Sequence, residues 1–80
     1  MTKEEADKTV KDNQTLKGQR WLNKKTGLSE MITDVQTQHI KLMNEWVVYI
    51  YFEPAIERGI AKVSGVIIEE LFQNYRKLNG

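Results

Sequence analysis

Eighty residues, 40% hydrophobic and 29% charged, make one small globular domain whose folding removes about 60–65% of the unfolded chain's surface from water. The absence of cysteine excludes disulfide staples and thiolate zinc sites, and a single histidine leaves no imidazole cage for a metal. A net charge of +1 argues against nucleic-acid binding by bulk electrostatics, and no apolar run reaches the roughly 20 residues a membrane-spanning helix needs.

The first 15 residues hold Val10 as their one large apolar side chain besides Met1, too little burial to offset the entropy of ordering. They are read as a flexible polar tail, with a single small domain over 16–80. The same stretch is acidic in part and lacks an apolar core of the secretory kind, so a cytoplasmic location is expected. Next, "GQRWLNKKTGLSEM" reads as strand, Lys-Lys-Thr-Gly turn and strand, with Gly27 free to take positive φ and Trp21 pointing inward.

Residues 28–46 support two readings. Leu28, Met31, Ile32, Val35, His39, Leu42, Met43 and Trp46 recur near helical spacing. Met31, Thr33, Val35 and Thr37 alternate as a strand face, and "QTQH" resembles a turn before Ile40 and Leu42. The strand reading is preferred and the helix stays open. "EWVVYIYFE" is a strand ended by Pro54, with Trp46, Val48, Ile50 and Phe52 on one side and Val47, Tyr49 and Tyr51 on the other. "IAKVS" follows as a short edge strand. In "VIIEELFQNYRKL", Ile68, Leu71, Phe72 and Tyr75 fall at i, i+3, i+4 and i+7, acids come early and Arg76 and Lys77 late, as in a terminal helix. The expected fold is mainly β (α+β): a small SH3-like barrel or curled antiparallel sheet closed by a C-terminal helix.

Gly18-x-x-Trp21, the turn at Gly27, "EMITDV", "VVYIYF" and "EELFQNYRKL" together resemble small phage- and prophage-encoded proteins of the SH3-like, Tudor-like β-barrel type, over residues 18–78. The resemblance implies a barrel fold and a phage-type accessory role, with no catalytic motif carried over, because these signatures are packing signatures.

Catalysis needs a nucleophile and a base within reach, and His39, read here as lying in a polar turn, has no evident partner. Glu69 and Glu70 diverge on a helix, and Glu53 and Glu57 straddle Pro54. The five glycines never reach the spacing of a phosphate loop or dinucleotide turn. A non-enzymatic protein without cofactor, metal, membrane or small-molecule substrate is therefore expected. Two binding classes remain. In the first, Val47, Tyr49 and Tyr51 contact a protein, either a host factor or a second copy, since tyrosine joins large contact area to a hydrogen-bonding tip; burial of the same tyrosines in the domain's own core is the competing assignment. In the second, Lys17, Arg20, Lys24 and Lys25, a block without an acid, contact nucleic-acid phosphates while aromatic rings stack on bases. A small virion subunit assembling through edge strands is a further reading.

Overall fold

The computed structural model describes residues 1–78; Asn79 and Gly80, the end of the domain expected over 16–80, lie outside the described residues. The chain begins with a helix, α1 (Lys3–Asp12), then a 3-10 turn at Gln14–Leu16. Strands β1 (Arg20–Asn23), β2 (Ser29–Ile40) and β3 (Glu45–Phe52) follow, then β4 (Ala55–Glu57), β5 (Ile60–Lys62) and β6 (Gly65–Ile67), helix α2 (Ile68–Asn74) and β7 (Tyr75–Lys77). Five strands form one antiparallel sheet in the order β6-β3-β2-β1-β7, and β4-β5 is a separate hairpin.

The sheet is open: β6 and β7 are its two edges and do not pair, so of the two expected forms the barrel is not made, while the mainly antiparallel α+β sheet with a helix near its C-terminus is. What holds it is the β2–β3 hairpin. Val35 faces Ile50, Thr37 faces Val48 and Ile32 faces Phe52, and Ile32, Val35, Val48, Ile50 and Phe52 are all buried. Ile32 and Val35 are three apart, a spacing that a regular strand sends to opposite faces. A β-bulge between Ile32 and Asp34 inserts Thr33 and returns Val35 to the core side. The helical spacing in this segment is thus the signature of a bulged strand. The alternation through Met31 and Thr33 does not survive, because Ile32 and not Met31 points inward. Nor does "QTQH" turn: β2 runs on to Ile40, the reversal is Lys41–Asn44, and His39 stacks on Trp46 at 4.8 Å between ring centroids.

The β1–β2 connection is as expected. Asn23 Oδ1 accepts from Lys25 N–H, Gly27 N–H donates to the Asn23 carbonyl at 2.8 Å, and Gly27 takes φ of 74°. Trp21 is buried.

Residues 3–12, expected as a tail, are helical. Thr2 and Glu5 make a capping box, each side chain accepting from the other's backbone N–H. Ala6 is fully buried in the core cluster, with Met1, Val10 and Trp46 packed against that cluster. A small residue at the contact lets the helix approach closely, so no wide apolar stripe is needed. The Trp46 N–H also donates to the Met1 carbonyl.

The C-terminal helix is shorter than its periodicity suggests. It stops at Asn74, and Tyr75 turns extended (φ −120°, ψ 156°) to begin β7, which pairs with β1 through Trp21↔Lys77, Leu22↔Arg76 and Asn23↔Tyr75. Arg76 and Lys77 therefore lie on an edge strand and not at a helix C-terminus. Ile68, Leu71 and Tyr75 are buried, whereas Phe72, expected in the core, is 53% exposed and touches Trp21 from outside, 5.9 Å between centroids. The β4–β5 hairpin turns through Arg58 and Gly59, both at positive φ, and leaves Ile56 and Ile60 exposed. Among the described residues no helix is long and apolar enough to cross a membrane.

Because Ala6 sits in the core, Ala6→Leu should destabilise the protein by about 1–3 kcal/mol through overpacking. In a flexible tail the same change would stay within about 0.5 kcal/mol; urea unfolding of the two proteins separates these outcomes.

Candidate functional site

Cross-strand partners share a face, so the register assigns every strand residue to one side of the sheet. Trp46, Val48, Ile50, Phe52, Val66, Trp21 and Tyr75 share the side of Ala6, Ile68 and Leu71, the side on which both helices lie. Val47, Tyr49 and Tyr51 lie on the other side, with Ile67 beside Tyr49 and Leu22 and Met31 further across. No helix covers this second side. Both tyrosines are half-buried.

The two tyrosines differ in their freedom. Tyr49 lies against Gly65 and donates its hydroxyl to the Gly65 carbonyl at 3.1 Å. A Cβ at position 65 would run into the Tyr49 ring and the Ile50 carbonyl, so glycine there makes the seat for that ring. Tyr51 tilts against Tyr49, 5.0 Å between centroids at 48°. Among the described residues nothing hydrogen-bonds to its hydroxyl, which points to Tyr51 as the more available of the pair. Asp34, Gln36 and Gln38 run between the two apolar groups as a polar stripe along β2. Hydrogen bonds from the Gln36 amide and the Val35 N–H, with Lys17 beyond them, hold the Asp34 carboxyl below its usual range.

The four basic candidates do not form one patch. Lys17 pairs with Asp34 at 3.5 Å. Arg20 stands on the uncovered face opposite Met31. Lys24 reaches the Gln73 carbonyl at 3.5 Å, and Lys25 is exposed in the turn at the sheet's end. Strand β7 adds a cation that sequence reading missed: Arg76, opposite Leu22, joins Arg20 on the uncovered face. Neither arginine forms a salt bridge among the described residues. No local signal announces this placement, since it depends on Tyr75 leaving the helix.

On the helix side, Tyr75 closes a small polar network. Asn23 Nδ2 donates to the Tyr75 hydroxyl at 3.2 Å, which donates to Glu30 Oε2 at 3.3 Å. Burial first, then the Glu30 charge, push the phenol above its ordinary value of 10.0, while the Asn23 bond opposes the shift. Among the described residues, no group of three or more His, Cys, Asp or Glu side chains is placed to hold a metal.

The raised phenol gives a signed pH dependence. Its contribution to stability is whole below the ordinary value and is lost as pH rises through that value to the higher folded one. Between about pH 9 and 11, wild-type stability to urea should fall more steeply than that of Tyr75→Phe; parallel curves would show that the phenol titrates alike in both states.

Compared with known proteins, the chain matches no family, no curated protein and no solved structure.

Proposed function

We propose that this chain is a small non-enzymatic binding module of the phage accessory type, an opened relative of SH3-like β proteins, that takes a protein partner on the uncovered face of its sheet. One observation supports this above the rest: both helices lie on one side, so Val47, Tyr49, Tyr51 and Ile67, all half-buried, are covered by neither helix. An aromatic and aliphatic centre ringed by polar residues is the composition of a protein interface. Tyr51 is its anchor. Arg20 and Arg76, which form no salt bridge among the described residues, favour a partner with acidic residues at that corner. A host factor and a second copy of the chain are the two sources of such a surface.

The test separates folding from binding. Tyr51→Ser should shift unfolding by no more than about 1 kcal/mol, because the ring is half-exposed to begin with. It should weaken partner capture or self-association by at least about 2 kcal/mol, roughly 30-fold. Sedimentation velocity reads the self-association, and a photoreactive residue at position 51 reads contact with a host protein. Unchanged association and no crosslink in host extract would overturn the reading; a closed ring in sedimentation would favour the virion subunit.

A second reading has its own support. Arg20 and Arg76 share the face with two tyrosines on an inner strand, an arrangement that also suits stacked bases and phosphates. With Lys24 and Lys25 added, four phosphate contacts predict a log-log salt slope of about −3 on single strands. An oligonucleotide titration that shows no binding at low salt removes this reading.

A further inference from the structure

The helix side of the sheet carries a cleft of about 240 Å³, between the β1–β2 turn and the ends of β6 and β7. Leu28, Phe52, Val66 and the ring of Tyr75 line it, with Asn23 and Glu30 as polar members. Phe52 and Tyr75 stack at 5.3 Å between centroids, 23° from parallel, and make a flat aromatic wall. The cleft is smaller than a drug-sized pocket and matches a side chain or a small fragment.

Its charge is one-sided. Glu30 receives a hydrogen bond from the Tyr75 hydroxyl on Oε2, and among the described residues it forms no salt bridge. Among nearby cations, Lys25 lies in the exposed turn, Lys24 is directed to the Gln73 carbonyl, Arg20 adjoins Glu30 in the neighbouring cleft and Lys77 lies across Trp21, and none forms a salt bridge with Glu30 among the described residues. A half-buried carboxylate beside aromatic and aliphatic walls, with one neutral donor, is under-compensated. A charged donor on its other oxygen makes a stronger, shorter bond than a neutral one. Aromatic faces nearby favour cations further.

We propose that this cleft binds a primary ammonium or guanidinium group carried on a short apolar stem. The cation takes the Glu30 carboxylate, and the stem lies against Leu28, Val66 and the aromatic wall. Such a group comes either from a lysine or arginine side chain of another protein or from a free small amine. The cleft is on the opposite side of the sheet from Tyr49 and Tyr51, so the proposal does not rest on the binding face described above.

Amide NMR titration of the full chain tests it, with n-butylammonium as probe and n-butanol as the uncharged match. Saturable shifts at Glu30, Val66 and Tyr75 are expected with butylammonium, with butanol at least about tenfold weaker. Glu30→Gln, which keeps an acceptor for Tyr75, should weaken the ammonium about tenfold and leave butanol unchanged. Leu28 is exposed, so Leu28→Lys should fold normally and place a competing charge at the mouth; butanol should lose only the shared apolar contact, and butylammonium should weaken by several-fold more than butanol. Absence of saturable shifts in the wild type, or equal binding by Glu30→Gln and Leu28→Lys, overturns the proposal. A peptide with one lysine that binds about tenfold tighter than butylammonium identifies a protein side chain as the ligand; equal affinities identify a free amine.

Discussion

The rest of the molecule hangs on the bulged β2–β3 hairpin. Its inward row, Ile32 with Phe52 and Val35 with Ile50, then Val48, is the floor on which both helices lie. Burial of each such side chain contributes about 1.5–3 kcal/mol, and only the bulge at Thr33 lets Ile32 and Val35 share that floor. The other strands attach to this hairpin: β1 to the start of β2, β6 to the end of β3, and β7 to β1. A bulge also strengthens local twist, which accords with a sheet that curls around a cleft without joining its edges.

What the sequence discloses follows from the range of each signal. "WVVYIYF" alternates without interruption, and the structure keeps Val48, Ile50 and Phe52 inside and Val47, Tyr49 and Tyr51 outside. The bulge hides from periodicity because two partial strands out of phase by one residue resemble a helix. Helix α1 was legible after all, though not as an apolar stripe. Thr2-x-x-Glu5 is a capping-box pattern, and Ala6 contributes to the core by being small. β7 is the reverse case. Ile68, Leu71 and Tyr75 are all buried, so their spacing reads as one continuous helix, yet Tyr75 reaches the core from an edge strand.

The candidate surfaces divide along the same line. The tyrosine face could be drawn from alternation alone; that neither helix covers it could not, because the side on which a helix docks is decided by contacts far apart in sequence. The basic block at 17–25 looks continuous on paper, but backbone geometry distributes it between an ion pair, a strand face and a turn. Arg76 enters from 56 positions after Arg20 through β7. Charge blocks in a sequence predict a patch only where the backbone keeps them on one face.

Net charge near neutrality conceals an uneven pairing of charges across the sheet. On the uncovered face Asp34 is balanced by Lys17, while Arg20 and Arg76, which form no salt bridge among the described residues, stand beside Leu22 and Met31, with Glu53 in the same cleft as Arg20. On the helix side Glu30 forms no salt bridge among the described residues, Lys77 shares its side across Trp21, and the influence of both Glu30 and Glu70 is felt at Tyr75. Each side thus carries both signs of charge beside its apolar area, and the sides differ in which charges are held in pairs. The tyrosine face and the Glu30 cleft lie on opposite sides of the same five strands, so the sheet itself keeps the two surfaces apart.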